Sequence, residues 1–102
     1  MTKLIGGRAQ LGGQTYNDTH TGTILLTTLN AVAISAVSVP CFEVLVQADP
    51  NNGRNVLIGN SKQGCTIRLT AGSAITIPIN DVEKIMARAV FGTQRVNWMA
   101  MT

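Results

Sequence analysis

The run from Phe42 to Asn60, FEVLVQADPNNGRNVLIGN, constrains the fold more than any other part of the chain. Phe42, Val44 and Val46 fall on one face of an extended segment, with Glu43 and Gln47 on the other. That period of two is the signature of a half-buried strand. The run stops at Asp-Pro-Asn-Asn-Gly, where Pro50 presets one backbone dihedral and Gly53 is expected at a positive φ. A second apolar run at 56–58 follows and closes on Gly59-Asn60. Two short strands joined by a tight turn are the predicted unit, and the chain repeats that pattern as far as Trp98.

Applied from residue 23 onwards, the same reading predicts eight short strands, at 23–28, 32–37, 41–47, 55–59, 66–70, 74–79, 84–90 and 95–101. Turn-forming residues separate them about every ten positions, which predicts an all-β sandwich or a jelly-roll-like fold. Val44, Val46, Ile67, Leu69, Ile75 and Ile77 are the predicted core. Pro78 marks a sheet edge or a strand end. Asn80 or Asp81 is expected to cap a short helical turn. Residues 31–39 are apolar almost throughout, so that stretch is expected to be buried on both faces or covered by a neighbouring subunit.

The first 22 residues differ. Gly6-Gly7 and Gly12-Gly13 punctuate a stretch without period, so 1–22 reads as a flexible arm preceding a sandwich domain at 23–102. The arm is expected to be mobile alone or ordered against a neighbour, through Leu4, Ile5, Leu11 and Tyr16. At 102 residues the whole is one small domain. Charged residues make up 13% of it against roughly 25% in an average soluble domain, so much of the surface is neutral and weakly defended against association.

The chemistry-bearing residues are few. Asp49 precedes Pro50 in a turn and Asp81 sits at a cap, so both read as structural. Cys41 or Cys65 paired with His20 would need His20, in the arm, held within about 3 Å of the thiol. The double glycines lack the Gly-Lys-Ser/Thr of a phosphate loop. One histidine and two cysteines match no common zinc spacing, so neither metal nor cofactor is expected, and the chain is not expected to be an enzyme. The cysteines read as two reduced thiols or as one Cys41–Cys65 bridge. Net charge is +3, but Lys3, Arg8, Arg54, Lys62, Arg68, Lys84, Arg88 and Arg95 are spread along the chain, which argues against nucleic acid. No secretory leader is expected, and no segment reaches the ~18 apolar residues of a membrane span. Trp98 reads as a core residue or an interface anchor. Met86, Val90, Met99 and Met101 are expected on the outward face of the last two strands, as contact residues.

Three segments, VQADPNNGRNVLIGNS, IRLTAGSAITIPINDVEKIMARAV and GTQRVNWMAM, resemble small virion proteins of tailed bacteriophages. A strand ends in a Gln-Ala-Asp-Pro turn, and the next closes on Ile-Gly-Asn-Ser. A Leu-x-x-Gly-x-x-hydrophobic element follows at Leu69, Gly72 and Ile75, and a Gly-containing hairpin finishes the chain. The resemblance spans residues 23–101, departing in a Met-rich, less acidic C terminus. It implies a β-sandwich of the capsid decoration (cement) type, made in the host cytoplasm and placed on the capsid surface. Its implied partners are the major capsid protein or other virion proteins and further copies of itself, with no nucleic acid and no membrane. A tail, collar or head–tail component is the alternative within the particle. A glycan- or host-surface-binding sandwich is the alternative outside it.

Overall fold

The computed structural model describes residues 9–11, 14–16, 19–27 and 30–102. Among these residues ten strands follow in chain order: β1 (Ala9–Leu11), β2 (Gln14–Tyr16), β3 (Thr19–Leu26), β4 (Val32–Ala33), β5 (Glu43–Ala48), β6 (Val56–Asn60), β7 (Gly64–Leu69), β8 (Ala74–Pro78), β9 (Met86–Ala89) and β10 (Gln94–Met101). β1 and β2 form a separate hairpin. The other eight make two four-stranded antiparallel sheets, ordered β3-β10-β5-β8 and β4-β9-β6-β7. Each of the eight strands expected from the sequence has its counterpart. β3 begins at Thr19, ahead of the boundary expected at residue 23, and Thr19–Gly22 pair with the end of β10. Leu4 and Ile5 of the expected arm lie outside the described residues; of Leu11 and Tyr16 only the strand pairing is described.

The core forms where the inner faces of the two sheets meet. Val44, Val46, Val96 and Ala100 come from the first sheet, and Val56, Ile58, Ala87 and Ala89 from the second; all are essentially buried. Trp98 is 8% exposed, and its indole Nε1 donates to the Ile34 carbonyl at 3.0 Å, so it belongs to the core. Gly22 stands opposite Trp98 on β3, and a Cβ there would fall 2.5 Å from the indole ring. The absence of a side chain is what lets the ring pack against β3.

Four expectations about packing are corrected. Ile67 is half exposed although it faces the buried Ile58, because β7 is the outermost strand of its sheet. Ile75 and Ile77, on the edge strand β8, are half-buried against the core. Phe42, on the same face as Val44 and Val46, is 59% exposed, although its backbone is bonded to Met101 on one side and Ile79 on the other. Residues 31–39 are not buried on both faces: Ile34 and Ser35 are buried, Val37 is exposed, and only Val32–Ala33 pairs as strand. The Ser35 hydroxyl donates to the Val37 carbonyl at 2.7 Å and accepts from the Val37 amide at 3.4 Å, which bends the chain out of the ladder.

The turn after β5 also differs from expectation. Among the described residues the positive-φ glycines are Gly64, Gly72 and Gly92, and Gly53 is not one of them. The turn closes earlier, with the Asn52 amide donating to the Asp49 carbonyl at 3.0 Å and the Asn51 amide to the Asp49 carboxylate at 3.0 Å. The Gly53 amide then donates to Gln94 Oε1 at 3.1 Å, so a side chain holds the chain where a glycine conformation was expected.

Candidate interaction surface

The outer face of the first sheet is set by strand register. Reading across β3, β10 and β5, one row is Thr21, Met99, Leu45 and the next is Thr23, Asn97, Gln47. Ala74 on β8 extends the second row. These side chains line a groove of about 340 Å³, with Gly22 and Trp98 at its base. Period two is the reason they share a face: the alternate residues Trp98 and Val46 point the other way, into the core.

Polar groups in the groove are tied to one another. Asn97 Oδ1 accepts from the Thr23 hydroxyl at 3.0 Å, and its amide nitrogen donates to Gln47 at 3.3 Å and to Asp49 at 3.0 Å. The Asn97 hydrogen bond, the Asn51 amide and the nearby Arg95 charge hold the Asp49 carboxyl below the usual aspartate range. The result is a patch of hydroxyls, amides, one leucine and one thioether, flanked by Asp49 and Arg95 at one end and by Glu43 at the other.

The turn beside it is equally committed. The Asn52 side chain donates to the Arg95 carbonyl at 2.8 Å and accepts from the Arg95 amide at 2.8 Å, imitating a strand neighbour. Buried Gln94 accepts from the amides of Gly53 and Arg54 and donates to the Phe91 carbonyl. Sequence reasoning missed these roles of Asn52, Gln94 and Asn97, since an isolated amide residue carries no local pattern.

Asp81 caps the 3-10 turn Val82–Lys84, as expected, by accepting from the Glu83 amide. It also accepts from the Val39 amide at 2.9 Å and from the Ser38 hydroxyl, pinning the 34–42 connection. Ser38 first, then the Glu83 and Val39 amides and the Lys84 charge, hold its carboxyl below the usual range. Cys41 and Cys65 are both free thiols, so the bridge is not formed. Burial raises both thiol pKa values; the Asp81 charge adds to this at Cys41, and Arg88 opposes it at Cys65.

Of the expected contact residues, Met99 lines the groove, Met86 is half-buried on β9, and Val90 is exposed beyond its end. Met101 is a correction: it is 7% exposed, packed at the end of β10 between Thr19 and Glu43, and lies inside the subunit. The basic residues are also less scattered than their spacing suggested. Register sets Arg88 and Arg68 on either side of Leu57 on the outer face of the second sheet. Among the described residues no three His, Cys, Asp or Glu side chains gather where a metal ion could be held. Nor is any helix among them long and apolar enough to cross a membrane.

The class defined so far is a two-sheet antiparallel β-sandwich, with a neutral groove on the outer face of one sheet and a pair of arginines on that of the other. No family model, curated protein or solved structure matches the chain.

Proposed function

We propose that this chain is a structural protein of a tailed-phage particle, of the capsid decoration type, binding the major capsid protein lattice. The observation that carries the reading is the neutral groove around Met99 and Leu45, in which Thr23, Asn97 and Gln47 are bonded to one another and the apolar side chains remain partly open. Such a surface suits attachment by area: apolar burial contributes roughly 25 cal/mol per Å² before association costs, and many weak copies on a lattice reinforce one another. The virion-like segments, which fall on strands β5 to β10 and their turns, support the same reading. Exposed Leu25, Phe42 and Phe91 add apolar surface outside the groove.

Binding of the purified protein to phage capsids, followed by cosedimentation and electron microscopy, tests this. Bound copies should appear on the capsid shell and survive high sodium chloride. Met99→Asp and Leu45→Asp should abolish binding while leaving the fold intact. Release by salt together with normal binding of the Asp variants would transfer the contact to the Arg68–Arg88 face, because exposed charge pairs are screened. Density on the tail or collar alone would defeat the capsid assignment.

A further inference from the structure

A two-sheet sandwich has four edges, here β3 and β8 in the first sheet and β4 and β7 in the second. An edge strand offers unpaired backbone N–H and C=O groups, and proteins usually blunt it with brevity, charge, proline or a bulge. Three edges are blunted in this way. β4 is two residues long. β7 carries Arg68 and a register shift opposite Ile58/Gly59. β8 ends in Pro78, which cannot donate to a ladder.

β3 has none of these devices. Its sequence THTGTILL contains no Lys, Arg, Asp, Glu or Pro. It pairs with β10 without a shift from Thr19 to Leu26, and among the described residues β10 is its only partner strand. Leu25 on it is 58% exposed, and Ile24 is half-buried.

We propose that β3 is a strand-addition edge and that its occupant is β3 of a second copy, antiparallel about a two-fold axis, joining two first sheets into one continuous sheet. Self-pairing is favoured because a neutral strand meets its own copy without like charges facing each other. Directly opposite residues in a sheet share a face, so facing pairs must be both even or both odd in number. An axis on Thr23 meets that condition. It sets Thr21 opposite Leu25 of the second copy, giving the exposed leucine a cross-strand side chain, with Gly22 opposite Ile24. An axis on Gly22 leaves a glycine pair at the centre, with no side chains to interact. Thr21 and Thr23 also line the groove, so the two grooves meet at the axis and form one wider neutral surface.

The test is cross-linking of the purified protein. In a Cys41→Ser, Cys65→Ser background, Thr23→Cys should oxidise to a covalent dimer. Facing Cα atoms of an antiparallel pair lie about 4.5–5.5 Å apart, within disulfide reach. Thr66→Cys on the blunted β7 edge should give no covalent dimer. In sedimentation equilibrium the native chain should be dimeric, and Leu25→Lys should be monomeric with an unchanged circular dichroism spectrum. A native monomer at the highest soluble concentration, equal cross-linking of both cysteine variants, or a dimer that persists in folded Leu25→Lys would each overturn the proposal. The dimer does not depend on the virion reading: dimerisation without capsid binding defeats that reading alone.

Discussion

Ile58 and Ile67 stand opposite each other on β6 and β7, the same residue type on the same inner face. Ile58 is 1% exposed and Ile67 is 50% exposed. The contrast runs through the whole sandwich. On the inner strands β5, β6, β9 and β10 the inward residues are closed off from water; on the margins β7 and β8, Ile67, Ile75 and Ile77 keep part of their surface wet. Alternation tells which way a side chain points, and position in the sheet decides whether anything covers it. Stability is therefore expected to reside in the centre, leaving the margins available for contacts.

The largest test of that contrast is Trp98→Ala. It removes the biggest side chain of the core and the indole bond to Ile34, so a loss of about 3–5 kcal/mol is expected in urea unfolding. Next comes Ile58→Ala, expected to cost about 2–5 kcal/mol as a fully enclosed isoleucine. Gly22→Ala sharpens the picture at β3. The added methyl collides with a buried ring held by its own hydrogen bond, and overpacking of this kind costs about 1–3 kcal/mol. If Gly22→Ala is neutral, the close approach of Trp98 to β3 is wrong.

A pH test probes the connections rather than the core. Asp49 and Asp81 both have depressed folded-state pKa values, for the hydrogen-bonding reasons given above. Their contribution is therefore present above the unfolded aspartate pKa of about 3.9 and is lost as pH falls through the folded value. Asp81→Asn should lower the urea midpoint at neutral pH and flatten its decline on acidification. An acid limb as steep as that of the native chain would show that Asp81 is not the titrating group. The smallest effect is expected at Ile67→Ala, within about 0.5 kcal/mol, as for other surface substitutions. An Ile67 cost equal to that of Ile58 in the monomer would erase the distinction between centre and margin.

The candidate surface was only partly legible in the sequence. Met99 was readable as outward from the alternation of β10, and it does line the groove. Met101 obeys the same alternation, yet it is enclosed at the strand end, between Thr19 and Glu43. Asn97 gave no signal, because its partners Thr23, Gln47 and Asp49 are distant in the chain and meet it only through the register of three strands. Arg68 and Arg88 looked scattered for the same reason: twenty positions of sequence become two strands of separation once β6 lies between them.

What the sequence by itself determined is local. The period of two marked the strands, and Pro, Gly, Asn and Asp marked their ends, since backbone geometry and turn chemistry act within a few residues. Asp81 was identifiable as a cap on that basis. Tertiary structure alone decided which strands became edges, and hence why Ile67 stays wet and why, among the described residues, β3 pairs only with β10. It decided that Gln94 would hold Gly53, and that Gly22 would make room for Trp98. Those outcomes depend on which strands become neighbours, and neighbouring strands are chosen by the packing of the whole sandwich.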